Sequence, residues 1–233
     1  MIGRLNGFVT VILVALVPLL LLCVSLVAAA SLLLLKWRKT HELCQVSLLK
    51  AQSTAAIRVN ELFDLNPQAR QLRFELAAAE AALAASPAGG PVAVAAAQAN
   101  LEAVVTRQTV LRSRQEWIKT RAVFDPSHDL LDFENELKKE TGVIPTRLDR
   151  VRLRVRERPA SSLTPDHDPV PGFSRLQALS GTWSIVPDPV FPAWLRKFIP
   201  RLARLKGRCS ATLIQKGDRW NAALGEGKSS WNY

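Results

Sequence analysis

No phosphate-binding P-loop, GxGxxG, HExxH or GxSxG occurs in this chain. Their absence removes the recognisable signatures of nucleotide binding, zinc proteolysis and the serine-hydrolase elbow. Cysteine is scarce: Cys23, Cys44 and Cys209 form no CxxC and no zinc-like cluster. The compact group of ligand-type residues is Asp166-His167-Asp168, between Pro165 and Pro169. That stretch reads as an exposed loop, and alternate side chains of an extended chain point apart, so without two further ligands it makes no metal site. Ser47-Leu48-Leu49-Lys50 matches the S-x-x-K pattern of one serine-hydrolase class, but the companion motifs are missing. The expectation is a chain with no catalytic residues, no metal, no cofactor and no small-molecule substrate.

Charge is missing from the first part of the chain. Between Arg4 and Lys36 no side chain carries one, so nearly all of the net +11 belongs to the remainder. A basic balance favours anionic partners such as lipid headgroups, acidic glycans or acidic protein faces. Nucleic acid is not expected, because the basic residues are spread over several elements with no RNP-like or zinc-finger signature.

What fills the uncharged part is one apolar run from Phe8 to Leu35, interrupted only by small and hydroxyl residues, Cys23 and Pro18. As a helix it spans about 42 Å, more than the ~30 Å hydrocarbon core of a bilayer. A core helix of a soluble domain is seldom apolar all round for so long. Ala28-Ala29-Ala30 superficially offers a signal-peptide cleavage site, but Leu32 to Leu35 resume the apolar run after it. The reading is a single transmembrane helix over 8–35. Pro18 is tolerated there, and Thr10 and Ser25 can bond back to the helix.

The run opens Gly7-Phe8-Val9-Thr10-Val11 and continues Val14-Ala15-Leu16-Val17-Pro18-Leu19-Leu20. After it come Lys36-Trp37-Arg38-Lys39 and a helical stretch with Leu43, Cys44, Gln45, Leu49 and Ala51. Over roughly residues 1–60 this resembles the N-terminal region of the TadE/TadG-like proteins of the Flp (tight-adherence) pilus system. These have a short basic leader, a Gly and an apolar run with an Ala-Leu-x-x-Pro-like element. The resemblance implies a leader over residues 1–7 cut between Gly7 and Phe8, and a bitopic protein of the bacterial inner membrane whose partners are pilus-assembly proteins. One position departs from the pattern: Ile12 stands where a processed pilin carries Glu at its fifth mature position. The departure favours an assembly component over a polymerising subunit. The alternatives are a signal-anchored scaffold of another envelope complex and a membrane-tethered hydrolase.

Orientation draws on opposed signals. Lys36, Arg38 and Lys39 outnumber Arg4 plus the amino terminus, which favours a cytoplasmic C-terminal part, although long domains translocate largely regardless of charge. The resemblance favours a periplasmic or surface-facing domain. So would a disulfide between Cys44 and Cys209, the two cysteines outside the apolar run; the alternative is two unrelated buried thiols.

Residues 36–125 read as a helical stem. One helix runs on from the membrane to Leu65 with Leu43, Val46, Leu49, Ala56, Val59 and Phe63 inward, and Gln52 and Asn60 on other faces. Asn66-Pro67 ends it, and Pro67 can start a second helix through Leu72, Leu76 and Leu83. The breakers from Ser86 to Pro91 turn the chain into a third helix, from about Val92 to Ala122. The second and third helices are expected as antiparallel neighbours meeting through alanines at 77–82 and 93–97, a stalk or coiled-coil surface.

Residues 126–233, after Asp125-Pro126, read as a small α+β domain with antiparallel strands. It opens with a helix from Asp129 to Glu140 closed by Gly142. Arg150, Arg152, Arg154, Arg156 and Arg158 then alternate with Val151, Leu153, Val155 and Glu157, placing all five arginines on one face of a strand. That face can grip an anionic partner through bidentate bonds, or stand as a solvated face that discourages edge pairing. A Pro/Ser loop follows from Pro159 to Gly172, then a strand or two over Leu176 to Val186. A closing hairpin of Arg208 to Gln215 and Arg219 to Leu224 turns about Lys216-Gly217-Asp218. Between them, Trp194 and Phe198 lie among basic residues in an amphipathic stretch that can rest on a membrane surface.

Overall fold

A computed structural model of the chain describes residues 3–143, 145–185 and 205–225. The protein is α+β: one long N-terminal helix with an apolar first half, followed by further helices and a small antiparallel-stranded domain. Helix α1 (Gly3–Asp64) passes through Pro18 without a break. Its apolar part is long and apolar enough to cross a membrane, and none of its most apolar window is buried. Leu20, Leu21, Val27 and Leu35 are all more than half exposed. Ser25 and Ser31 donate to the carbonyls of Leu22 and Val27, which keeps their hydroxyls satisfied within the helix.

From Thr40 onward α1 gains a buried face. It consists of Cys44, Leu48, Ala51, Ala55, Val59 and Leu62, rotated from the expected line, and Val46 is 66% exposed. After Leu65, helix α2 (Asn66–Ala85) starts with Pro67 in its first turn, as its fixed φ favours. A short 3-10 turn (Ser86–Gly89) leads into α3 (Gly90–Thr141). Helix α3 ends on Gly142, whose φ of 64° gives the left-handed cap, and Gly142 N–H donates to Lys138 O.

Two expectations are corrected here. Asp125-Pro126 does not start a separate helix or domain, because α3 runs straight through Pro126. Arg58 bonds Asp125, and Lys50 and Thr54 bond Asp129, so α1 clamps α3 on both sides of the proline. The alanine seam is also largely absent: Ala79 is buried, while Ala77, Ala78, Ala81 and Ala82 are exposed. The face of α3 turned to α1 and α2 carries Val104, Gln108, Leu111, Gln115, Ile118 and Ala122 instead.

The strands are β1 (Pro145–Leu148), β2 (Val155–Arg158), β3 (Asp166–Pro169), β4 (Leu179–Ile185), β5 (Leu205–Lys216) and β6 (Arg219–Leu224). A short helix α4 (Phe173–Leu176) precedes β4. They form a four-stranded antiparallel sheet, β1-β4-β5-β6, and a two-stranded ribbon, β2-β3. The hairpin β5–β6 closes at Gly217, where φ is +64°, a conformation that glycine adopts without strain. Strand β3 falls inside the stretch read as a Pro/Ser loop. Its pairing of His167 with Glu157 accounts for the difference, since propensity alone does not register a cross-strand partner.

Helices and strands share their core. Cys44, Leu48 and Ala51 of α1 and Leu130, Phe133 and Leu137 of α3 pack against Leu179, Trp183, Ile185, Cys209 and Ala211 of the sheet. There is no separate head on a separate stem. Buried amides fasten the two layers. Asn60 Nδ2 donates to Trp220 O and its Oδ1 accepts from Trp220 N–H, both at 2.8 Å. Asn66 makes the same pair of bonds, at the same length, with His167. Gln52 donates to the carbonyls of Gln177 and Ala211. Each bond satisfies backbone that would otherwise be buried unpaired.

Candidate functional site

The alternation from Arg150 to Arg158 is realised in space. Val151, Leu153 and Val155 turn to the core while the five arginines are exposed. The segment is extended throughout, yet it is paired only at its two ends. The β1–β4 ladder ends at Leu148↔Gly181 with one more bond from Asp149 N–H to Ser180 O. The β2–β3 ladder begins at Val155↔Pro169. Between these points the chain that would continue the pairing leaves to form α4, because 170–178 has more residues than the gap it spans.

A groove of about 420 Å³ occupies the gap. Arg150, Arg152 and Arg154 line one side and Leu176 to Leu179 the other, with Gln52 and Ala55 of α1 at the base and Arg147 at one end. Its acid, Asp149, is already engaged: Oδ2 accepts from Ser180 N–H at 2.9 Å and from Ser180 Oγ at 2.6 Å. Among the described residues, Arg147, Arg150, Arg152, Arg154 and Arg156 have no acidic partner, while Arg158 Nε lies 3.9 Å from Asp168. Gln177 is buried at the groove's edge and its Nε2 has no hydrogen-bond acceptor. The surroundings therefore present donors with few acceptors, which suits a carboxylate or phosphate. Same-face residues of a strand repeat every ~6.7 Å, so carboxylates at alternate positions of an extended partner would match the row. Sequence reasoning missed Arg147 and Gln177. Arg147 lies outside the alternation, and nothing local marks Gln177 as buried.

Glu157 is the acid in the aliphatic phase of the alternation, and the fold uses it inward. Its carboxylate meets Lys119 Nζ at 2.7 Å, Arg112 Nη1 at 3.3 Å and His167 Nε2 at 3.4 Å. Burial by itself would raise the Glu157 pKa, but Lys119 and Arg112 outweigh it and bring it down to about 2. Burial holds His167 below its usual range, with Glu157 opposing. Both folded-state values lie below the ordinary ones of 4.5 and 6.5, so the unfolded chain binds more protons at acid pH. Stability is expected to fall as pH drops below 6.5, and again between 4.5 and about 2. The Glu157 part is on the order of 3 kcal/mol. Thermal midpoints of the parent and Glu157→Gln, compared from pH 7 downward, should converge as pH approaches 2. A constant gap would contradict this account.

The other sequence-derived sites are placed as follows. Cys44 and Cys209 are joined as a disulfide, with Cα atoms 6.1 Å apart. Gly7 and Phe8 lie within α1. Trp194 and Phe198 lie outside the described residues. His167 is fully buried rather than exposed in a loop. Asp166 is bound to Arg73 and Arg70, leaving Asp168 apart. Among the described residues no three His, Cys, Asp or Glu side chains gather as metal ligands. Lys50 of the S-x-x-K match is held by Asp129 at 2.9 Å. No protein-family model, curated protein or solved structure matches the chain.

Proposed function

We propose that this chain is a non-catalytic, single-pass membrane protein of the bacterial envelope, a pilus-assembly component of TadE/TadG-like type. The arginine-lined groove is its contact with an acidic partner protein. The observation that carries this reading is the groove itself: a row of arginines without acids, held on a domain rooted in an apolar helix. Tying so many cations to a rigid strand has no evident structural use, since their neighbours Val151, Leu153 and Val155 already supply the packing. The disulfide supports placing the domain outside the cytoplasm, where such bonds persist. Trp37 at the end of the apolar run, stacked on His41 at 5.3 Å, suits the interfacial position that tryptophan favours.

A second reading, a signal-anchored scaffold of another envelope complex, is favoured by Ile12 in place of the pilin acid. The two share the groove and differ in processing at Gly7. For the groove, the test is binding of fluorescent poly-glutamate to the full chain in nanodiscs. Arg152→Ala with Arg154→Ala should weaken binding at least tenfold while the thermal midpoint moves little, because both side chains are exposed. Equal binding by the double variant would reduce the row to a solvated face.

A further inference from the structure

Helix α3 has a second apolar line on its outer side. Val110, Trp117, Phe124 and Leu131 recur every seventh residue and are 66, 52, 58 and 60% exposed. At 3.6 residues per turn they form one stripe, on the side of the helix away from Leu111, Ile118 and Ala122. The stripe is about 31 Å long.

Its two edges differ. One edge is Arg107, Arg114, Arg121 and His128, again spaced by seven. Arg107 is drawn aside to Glu75 at 2.9 Å and Arg121 to Asp125 at 3.1 Å. The Arg121 guanidinium also lies 5.5 Å from the Trp117 ring and 5.9 Å from that of Phe124, shaping the stripe's border. The other edge is Thr106, Ser113, Thr120 and Ser127. Each hydroxyl donates to the carbonyl four residues back, at 2.8, 3.0, 2.9 and 2.6 Å. An edge of small side chains whose hydrogen bonds are spent at home lets another helix approach closely at little desolvation cost.

We propose that this stripe is the seam of a parallel two-helix pairing with a second copy of the chain. A strict seven-residue apolar repeat is the pattern by which one helix winds on another. The proposal rests on the membrane anchoring argued above, which fixes direction. Helix α3 lies along α1, with Glu140 at Lys39 and Asp125 at Arg58, so two copies in one bilayer hold their α3 helices parallel. A parallel two-fold pair brings the arginine edge of one copy against the hydroxyl edge of the other. An antiparallel pair would bring arginines against arginines, which is repulsive. The edges therefore select the same direction as the membrane. Tethering raises the effective concentration, so a stripe of four side chains is enough to hold the pair.

The test uses the full chain in native membranes with Cys23→Ser as background. Val110→Cys and Leu131→Cys, each alone, should give disulfide-linked homodimers under mild oxidation, because a parallel seam brings each position to its own copy. Trp117→Ala with Phe124→Ala in the Val110→Cys chain should lower dimer yield at least fivefold. Thr120→Arg, which sets a cation against the partner's arginines, should do the same without touching the stripe. Dimers that form only when Val110→Cys and Leu131→Cys chains are mixed would overturn the parallel assignment. Linkage to another protein, or yields indifferent to both variants, would overturn the pairing. Fractionation of the same samples separates the two readings. A membrane-bound chain without dimers overturns the pairing alone, whereas a soluble chain overturns the anchoring on which it rests.

Discussion

Serine at Cys44 or Cys209 is expected to destabilise the folded domain by about 5 kcal/mol, from loop-closure entropy alone. The two cysteines are separated by 165 positions, among the widest linkages this chain could make. A cross-link stabilises mainly by restricting the unfolded ensemble, and the restriction grows with the length of the loop it closes. Both residues sit in the same hydrophobic cluster, Cys44 on α1 and Cys209 in the middle of β5 opposite Gly181. A Cβ on Gly181 would lie 3.4 Å from each sulfur, so the glycine leaves room for the bridge where sheet and helix meet. The bridge thus joins the membrane-proximal part of α1 to the central strand of the sheet. Without it, their union depends on the packing of Leu48, Trp183 and their neighbours. Urea unfolding of the detergent-solubilised protein, with and without reductant, measures the effect. Coincident midpoints, or two titratable thiols in unreduced protein, would show that the linkage contributes nothing. That result would also remove one argument for an extracytoplasmic domain.

Local punctuation made much of the architecture legible in the sequence. Asn66-Pro67, Ser86 to Pro91, Gly142 and Lys216-Gly217-Asp218 all act where they stand, through the backbone limits of proline and glycine. The arginine alternation was equally plain, because a period of two admits one geometry. What was not legible depends on partners distant in sequence. Pro126 reads as a helix stop, yet contacts from Lys50, Thr54 and Arg58 outweigh its local cost of ~3 kcal/mol. Gln52 and Asn60 read as polar surface, and only the position of β5 and β6 reveals them as buried clasps. The groove depends on where two ladders stop, which no single stretch of sequence records. The outer stripe of α3 was open to view at spacing seven, but the inner line through Leu111 and Ile118 accounts for a helix without it.

Gly207→Ala should be among the most damaging single-methyl additions in the chain. Trp183 and Gly207 face each other across β4 and β5, so the indole lies over the glycine. A Cβ there would fall 2.0 Å from Trp183 Cζ2 and 2.3 Å from Cε2, far inside van der Waals contact. The ring has little room to yield. Trp183 is 1% exposed, and its centroid lies 6.0 Å from Trp37 and 6.4 Å from His41 on α1. Relief must come from moving the strand or from driving the indole against α1, in a core packed as densely as a crystal. Overpacking of this kind costs typically ~1–3 kcal/mol, and a clash with a ring confined on both sides belongs at about the top of that range. The cause can be isolated with a second substitution. Trp183→Phe removes the outer ring atoms that the new methyl would meet, and with them a buried indole N–H that has no acceptor. In the Phe background, Gly207→Ala should cost less than half of what it costs with tryptophan present, giving a favourable coupling in a double-mutant cycle. Equal penalties in both backgrounds would mean that Gly207 is required for its backbone and not for the space that Trp183 fills.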